Sequence, residues 1–194
     1  MGRVVVVTGI PGTGKTTICN EALKLAEQTQ KRAQVINYGS IMVELSRKRG
    51  TPLHRDEIRR SGLIFQRNLQ ADAAKIISKK AVGIEGYLVV DTHMSIRTAS
   101  GYLAGLPFQV LQLLNPTMFV LVEAETHEIL SRRLKGKTRK RDKVMEDEID
   151  EEILFSRLMA IVCGVLTGAS VKIVRNPDGK QAEAAVEVLK LLEK

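Results

Sequence analysis

With 194 residues, 44% of them hydrophobic and 27% charged, the chain can bury a sizeable core, and we expect a single globular domain over residues 1–194. No apolar run reaches the roughly 18 residues that span a bilayer, and the strand predicted from Arg3 leaves no room for a signal peptide. We therefore expect a cytoplasmic protein with no membrane partner. The net charge of +8 fits a nucleic-acid surface, small polyanionic substrates or a solvated basic face.

Predicted strands and helices alternate along the whole chain, and several strands are near-continuous apolar runs. Strands are predicted at Arg3–Thr8, Gln34–Tyr38, Tyr87–Asp91, Met118–Glu123 and Val171–Arg175. Helices are predicted at Thr16–Lys31, Ser40–Arg49, about 62–82, from near Thr126 to before Gly136, about 146–167, and Gln181–Glu193. Apolar runs without alternation are expected when helices cover both faces of a sheet. The pattern predicts an α/β fold with a parallel sheet of about five strands and helices on both faces.

Residues 9–16, Gly-Ile-Pro-Gly-Thr-Gly-Lys-Thr, fit the phosphate-loop pattern G-x-x-x-x-G-K-[S/T] between the first strand and the first helix. Glycines let the backbone curl until its N–H groups face a phosphate, and the helix adds the positive end of its dipole. Lys15 can reach the β- and γ-phosphates, and the Thr16 hydroxyl can ligate Mg²⁺. The predicted ATP-binding residues are Gly9, Ile10, Pro11, Gly12, Thr13, Gly14, Lys15, Thr16 and Thr17.

Polar segments follow the predicted strands, and the carboxyl ends of parallel strands are where α/β sheets bind ligands. Asp91 ends the third strand, where a carboxylate can orient Mg²⁺ directly or through water; a loop-bracing Asp is the alternative. His93 is predicted to be structural or a hydrogen-bonding pocket residue. His54 and His127 are predicted on the surface. Cys19 and Cys163 lack metal-site spacing and are predicted in the core.

Arginines cluster in four groups in or near predicted loops: Arg55/Arg59/Arg60, Arg97, Arg132/Arg133 and Arg139/Arg141. Arginine grips phosphate in a fixed geometry better than lysine does. The chain has no N-K-x-D motif, which disfavours a GTPase, and it is too short and simple for most motor ATPases. A small phosphate-loop kinase remains.

Several segments make the sequence resemble the archaeal-type adenylate kinases over essentially its whole length. They are V-V-V-T-G-I-P-G-T-G-K-T-T at the start, V-I-N-Y-G-S-I-M at 35–42, R-D-E-I-R-R at 55–60, V-V-D-T-H-M-S-I-R-T-A-S-G-Y-L-A-G-L-P at 89–107, T-R-K-R-D at 138–142 and G-V-L-T-G-A-S-V-K-I-V at 164–174. The resemblance implies a P-loop NTPase fold with a small mobile lid at about 135–150, and the reaction ATP + AMP ⇌ 2 ADP with Mg²⁺. ATP, AMP and ADP are the partners it implies.

The same resemblance implies roles for individual residues. The AMP-binding region is placed at about 38–82, with Ser40 beside the nucleoside and Arg55, Arg59 and Arg97 holding the acceptor phosphate. The catalytic set implied is Lys15, Arg97, Arg132, Arg133, Arg139 and Arg141, in which the choice between Arg132 and Arg133 stays open. The alternative interpretation of the charged 135–152 segment is a solvated loop. Residues 176–179 match the position that holds the donor adenine. The four-cysteine zinc site of some bacterial relatives is absent from the lid, so no structural zinc is implied.

The helix predicted over about 146–167 carries an apolar stripe of Ile149, Ile153, Leu158, Ile161, Val162, Val165 and Leu166. Such a stripe usually packs in the core, but the relatives are trimeric and part of the helix could form an interface. Two other functions remain open: a kinase for UMP, CMP or dTMP, and an adenylate-kinase-like ribosome or RNA assembly ATPase. Nucleic acid is a less favoured partner because aromatic residues are only 4% of the chain.

Overall fold

A computed structural model of the protein describes residues 2–98, 101–135 and 146–192. Five parallel strands form the central sheet in the order β2-β3-β1-β6-β7, and β4 and β5 form a separate antiparallel hairpin. The elements are β1 Arg3–Thr8, α1 Lys15–Gln28, β2 Ala33–Asn37, α2 Tyr38–Lys48, α3 Arg55–Arg60, α4 Leu63–Val82, β3 Tyr87–Asp91, β4 Ser95–Thr98, β5 Gly101–Ala104, α5 Phe108–Leu114, β6 Met118–Glu123, α6 Thr126–Lys135, α7 Glu146–Thr167, β7 Ser170–Arg175 and α8 Gln181–Leu191.

Helices cover both faces of the sheet, as the apolar strands predict. In β1, Val4 and Val6 face one core cluster, which α2, α4, α5 and α7 complete. Val5 and Val7 face the other cluster, which is formed with α1 and α8. The alternation follows from the two-residue period of a strand, so an apolar run fills two cores at once.

The five predicted sheet strands and six predicted helices are all confirmed, with ends that move by up to a few residues. Four of the elements were not predicted: the helices α3 and α5, and the strands β4 and β5 of the hairpin. As a result, the Arg55/Arg59/Arg60 group and Arg97 lie on regular elements rather than in loops, and Arg132 and Arg133 lie on α6. Of the predicted lid, residues 136–145 lie outside the described ranges, and residues 146–150 begin α7. Within the described ranges, none of the helices has both the length and the apolar character needed to cross a membrane.

The α7 stripe departs from core packing. Ile149 is fully buried, but Leu158, Ile161, Val162, Val165 and Leu166 are all exposed. They lie on the face of α7 that points away from the sheet, and Leu154 extends the same face. An apolar helix face of this kind is unusual on the surface of a monomer.

The sheet register brings the functional segments together. Val7 pairs with Asp91, and Asn37 pairs with the same residue from the other side. The ends of β1, β2 and β3 therefore stand at one level, and the phosphate loop begins directly after β1. From β1, the chain crosses to β2 at the sheet edge and later to β6 on the opposite side of β1. A crevice forms at such a switch of direction, and ligands bind there.

Candidate nucleotide-binding site

The phosphate loop is held in a conformation that requires glycine. Gly9 and Gly14 have φ of 144° and 85°, in the region that L side chains rarely adopt. A Cβ on Gly9 would lie 2.3 Å from the Val122 carbonyl oxygen, and one on Gly14 would lie 2.4 Å from Asn176 Nδ2. Helix α1 begins at Lys15, and no side chain caps it. Its first amide groups are therefore suited to bind an anion.

Lys15 lies in the loop with its ammonium group buried, at 6% exposure. Its Nζ donates to the Ile10 carbonyl oxygen at 3.1 Å. Burial lowers the pKa of Lys15 from 10.5 to about 8, although the Asp91 carboxylate acts in the opposite direction. An anionic ligand would replace the lost solvation and favour the charged form.

Thr16 and Asp91 meet in this site as the sequence predicts. Thr16 Oγ1 donates to Asp91 Oδ2 at 2.9 Å, and Asn37 Nδ2 donates to the same oxygen at 2.8 Å. Asp91 is buried, at 3% exposure. A hydroxyl and a carboxylate at the foot of a phosphate loop are hard oxygen donors, the type that Mg²⁺ prefers. Asp91 is buried and also lines the cavity, which fits a Mg²⁺-orienting carboxylate better than a residue that only braces the loop.

Asn37 connects this carboxylate to the predicted acceptor residues. Its Oδ1 accepts from the Ser40 backbone N–H at 3.0 Å and from Arg55 Nη2 at 2.8 Å, and Arg55 Nη2 also donates to Ser40 Oγ at 2.7 Å. Arg59 lies one turn further along α3 and is within 3.4 Å of Asp56. Sequence reasoning did not single out Asn37. Its position at the end of β2, level with Asp91, was the available signal.

One cavity of about 410 Å³ opens between these groups. The phosphate loop and Thr17 line it, Arg55 and Arg59 line it from α3, and Asp91, His93 and Arg132 also contribute. The cavity therefore brings cationic groups from the phosphate loop, α3 and α6 to one space that is large enough for phosphate groups.

The two neighbouring arginines of α6 have different environments. Arg132 lines the cavity, with Nη2 at 2.9 Å from the Asn176 carbonyl oxygen and at 2.6 Å from Asp178 Oδ1. Arg133 is buried, donates to the Pro11 carbonyl oxygen at 2.8 Å and forms an ion pair with Glu152 at 2.6 Å. The geometry supports Arg132 as the group that can contact a phosphate, and Arg133 as a support for the loop.

Arg97 is the predicted acceptor residue that the structure does not bring to the cavity wall. Its guanidinium is paired with Glu148 of α7, with distances of 2.8 and 3.0 Å to the two carboxylate oxygens. This hydrogen-bonded pair raises the pKa of Arg97 above its already high value. Arg139 and Arg141 lie outside the described residues.

The histidines and cysteines are placed as predicted. His93 Nδ1 lies 2.9 Å from the Gly9 carbonyl oxygen, and burial holds the pKa of His93 well below its usual value of 6.5. The neutral ring therefore braces the start of the loop. His54 and His127 are exposed. Cys19 and Cys163 are free thiols buried in the core.

Comparisons with known proteins agree with this geometry. A protein-family model described as an AAA domain matches residues 8–150. The chain is 43% identical to an adenylate kinase of Methanocaldococcus jannaschii, over 97% of this chain and 98% of that protein. It is 44% identical to one of Methanopyrus kandleri, over 96% of each, and 42% identical to one of Pyrococcus furiosus, over 100% of this chain and 96% of that protein.

Solved structures support the fold alone. A shikimate kinase from Acinetobacter baumannii in complex with shikimate aligns with a TM-score of 0.63 at 15% identity, over 100% of this chain and 94% of that one. A shikimate kinase from Bacteroides thetaiotaomicron aligns with a TM-score of 0.62 at 15% identity, over 99% of each.

Proposed function

Because the chain belongs to the archaeal adenylate kinases, we propose that it transfers the γ-phosphate of ATP to AMP, giving two ADP, in the cavity between the phosphate loop and α3. One observation carries the assignment of the site: a single cavity extends from Lys15 to Arg55 and Arg59. Direct transfer requires the donor and acceptor phosphates to meet in line, and most of the catalytic work is positioning and charge neutralisation. Cationic side chains from separate elements that line one cavity suit that demand.

The donor phosphates bind at the start of α1. Backbone N–H groups of the glycine-rich loop point at them, and the dipole of α1 favours their negative charge. Lys15 lies at the base of the same loop and reaches the phosphates that are nearest to the transfer. Burial disfavours the charged form of Lys15 in the free protein. The negative charge of a bound phosphate would compensate for this cost.

Thr16 and Asp91 form the place where Mg²⁺ fits, through one hydroxyl and one carboxylate oxygen that already face each other. When bound, Mg²⁺ neutralises charge on the transferring phosphate. The residues of the chain keep the carboxylate oriented: Thr16 and Asn37 donate to the same Asp91 oxygen, so Asp91 cannot rotate freely.

The acceptor phosphate binds on the α3 side of the cavity. Arg55 is preorganised by Asn37 and Ser40, and Arg59 lines the same wall. Arg97 joins them by exchanging its Glu148 partner for the acceptor phosphate, which also offers two oxygens to the guanidinium. No general base is required because the attacking phosphate oxygen is already ionised.

Arg132 contacts the transferring phosphate from the α6 side, while Arg133 holds the loop through Pro11. Family resemblance supports Arg139 and Arg141 as further contacts from a mobile lid, which excludes water and so prevents hydrolysis of ATP. Residues 176–179 are proposed to hold the donor base, and Arg132 contacts Asn176 and Asp178 of this segment.

The enzyme is proposed to act as a trimer in the cytoplasm. The exposed apolar face of α7 is the surface proposed for the subunit contact, since its six large apolar side chains lie on one side of a single helix: Leu154, Leu158, Ile161, Val162, Val165 and Leu166. Burying this face between subunits would remove it from water.

A coupled phosphotransfer assay with ATP·Mg²⁺ and AMP tests the proposed function. P1,P5-di(adenosine-5′) pentaphosphate serves as the control because it spans both nucleotide sites at once. We expect rapid ADP formation that this compound blocks. ATP hydrolysis that does not depend on AMP would contradict the proposal, and a strong preference for UMP, CMP or dTMP would reassign the acceptor.

A further inference from the structure

Glu128, in the first turn of α6, is a buried carboxylate to which the proposed reaction gives no role. It is 7% exposed. Its Oε2 accepts from the Glu125 backbone N–H at 3.0 Å, and its Oε1 accepts from the Asp178 backbone N–H at 2.5 Å. The first contact is local to the start of α6, whereas the second joins residues that are 50 positions apart. Because a buried carboxylate is costly unless its oxygens are hydrogen-bonded, both contacts compensate for its burial.

The contact with Asp178 fixes the turn at residues 176–179 against α6. The same turn is attached to the phosphate loop through Asn176, which is 1% exposed. Asn176 Nδ2 donates to the Thr13 carbonyl oxygen at 2.8 Å, and the Asn176 backbone N–H donates to the Glu123 carbonyl oxygen at 2.7 Å. The turn is therefore held from the phosphate loop, from the end of β6 and from α6.

The fixed turn holds the guanidinium of Arg132 along one edge. Asp178 Oδ1 accepts from Arg132 Nε at 2.8 Å and from Nη2 at 2.6 Å, and the Asn176 carbonyl oxygen accepts from Nη2 at 2.9 Å. These contacts use the hydrogen of Nε and both hydrogens of Nη2. The remaining nitrogen, Nη1, lies on the side of the phosphate loop, 3.4 Å from the Gly12 carbonyl oxygen. The turn therefore directs Nη1 toward the part of the cavity that Gly12 lines.

Holding Arg132 in this way has an energetic consequence for phosphate transfer. A long arginine side chain loses conformational freedom when it is fixed, and a group that is fixed before the reaction does not lose that freedom in the transition state. Glu128 lies one turn before Arg132, and its Oε1 is 4.0 Å from Arg132 Nη2. That distance is longer than a hydrogen bond, so Glu128 acts on Arg132 mainly through Asp178.

Resting on the adenylate kinase function proposed above, we propose that Glu128 and Asp178 are positioning residues that align Arg132 with the transferring phosphate. Glu128 holds the Asp178 backbone, and the Asp178 carboxylate holds the Nε and Nη2 edge of Arg132. Both residues act through Arg132, and neither needs to contact the transferring phosphate. Because the same turn is proposed to hold the donor base, one segment sets the position of the base and of the arginine that meets its phosphates.

A double-mutant cycle with Arg132 tests the inference. At saturating ATP and AMP, Glu128→Gln and Asp178→Ala should each lower kcat by about 10- to 100-fold. Glutamine keeps the size of Glu128 but has one oxygen, so one of the two backbone N–H groups loses its acceptor. In an Arg132→Met background the same changes should lower kcat by less than about twofold, because the group that they align is gone. Glu125→Gln is the matched control: this carboxylate, just before α6, is exposed and should leave the kcat of each background unchanged.

The cycle separates alignment of Arg132 from a structural role. A general defect, or an unfolded fraction, lowers kcat by the same factor in both backgrounds. Equal factors overturn the inference, and so does a wild-type kcat in the two single variants. The Asp178 side chain is 60% exposed, so Asp178→Ala gives the answer even where Glu128→Gln does not fold. A wild-type protein that forms no ADP from ATP and AMP overturns the proposed function and the inference together, whereas equal factors in an active enzyme overturn the inference alone.

Discussion

Thr16 Oγ1 donates a 2.9 Å hydrogen bond to Asp91 Oδ2, although 75 residues separate them along the chain. The parallel register of β1 and β3 brings them together, because Val7 and Asp91 are paired at the carboxyl ends of these strands. Asn37 adds a second donor to the same oxygen from β2. The relationship joins the phosphate loop, the carboxylate and the acceptor side of the cavity in one hydrogen-bonded unit.

Asp91→Asn is the variant that tests this unit. The amide keeps the size of the side chain but removes the charge, so the Mg²⁺ concentration that gives half-maximal turnover should rise by about 10- to 100-fold. The measurement is turnover against Mg²⁺ concentration at saturating ATP and AMP. Asp72→Asn is the matched control, because Asp72 is a surface carboxylate that pairs with Arg49 and Lys75. An unchanged Mg²⁺ requirement in Asp91→Asn would leave Asp91 as a structural residue.

Lys15→Met should make the nucleotide-free protein more stable while abolishing most of its activity. The pKa of Lys15 is about 8 in the folded protein and near 10.5 in the unfolded chain, so the unfolded chain binds the proton more tightly. The charged lysine therefore costs stability below pH 8, by about 3 kcal/mol, and the cost fades as the pH rises from 8 to 10.5. At pH 7 we expect a higher free energy of unfolding in urea and a turnover at least about a hundredfold lower.

Lys24→Met is the control, since Lys24 is an exposed lysine of the same helix that pairs with Glu21. It should change neither quantity appreciably. The same reasoning predicts that kcat/KM for ATP falls above a pH of about 8 in the wild-type protein, because the free protein then loses the Lys15 charge. A Lys15→Met protein that is less stable than wild type at pH 7 would contradict the argument.

Arg132→Met and Arg133→Met should separate catalysis from stability at adjacent positions. Arg133 is buried in an ion pair with Glu152, and removing one partner of a buried pair costs about 3–5 kcal/mol. Arg132 pairs with Asp178, whose side chain is 60% exposed, so Arg132→Met should cost less stability than Arg133→Met but lower turnover by about 10²- to 10³-fold. Urea unfolding and steady-state kinetics of both variants provide the comparison.

The double variant Arg133→Met/Glu152→Met tests the cause of the Arg133 effect. It leaves no uncompensated charge, so it should recover part of the lost free energy of unfolding. The opposite pattern, with Arg132 essential for stability and Arg133 for turnover, would exchange the two roles.

The sequence predicts the central sheet and its six long helices, because long apolar runs and long amphipathic segments are strong signals. It misses α3 and α5 because they have six and seven residues, too few to show a period, and it misses the β4–β5 hairpin because its strands have four residues each. The phosphate loop and Asp91 can be predicted because each is recognisable from a short stretch of sequence. The role of Asn37 and the contrast between Arg132 and Arg133 depend on contacts between distant segments, which no local pattern encodes.

The α7 stripe shows a different limit, because its apolar pattern is clear in the sequence but does not say whether the sheet or another subunit covers it.

Arg97→Ala should weaken the use of AMP and leave the KM for ATP unchanged. A charge-assisted contact to the acceptor phosphate is worth about 1.5–3 kcal/mol, so the KM for AMP should rise by about 10- to 100-fold. Stability should change by about 1 kcal/mol at most, because both side chains of the Arg97–Glu148 pair are partly exposed to solvent. Glu148→Gln is the companion variant: it weakens the pair that competes with phosphate, so the KM for AMP should fall. Unchanged AMP kinetics in both variants would remove Arg97 from the acceptor site.

Val165→Glu should dissociate the proposed trimer. Val165 is 80% exposed at the centre of the apolar face of α7, and the side chains around it are Ile161, Val162 and Leu166. A carboxylate placed in a dry interface must lose its hydration without gaining a partner, which costs far more than the same change on an open surface. Sedimentation velocity should therefore show a trimer for the wild-type protein and a smaller species for Val165→Glu. Val82→Glu supplies the control, because Val82 is 62% exposed at the end of α4 and lies outside this face. If Val165→Glu sediments like the wild-type trimer, the subunit contact lies elsewhere; if the wild-type protein is already a monomer, the exposed stripe has another partner.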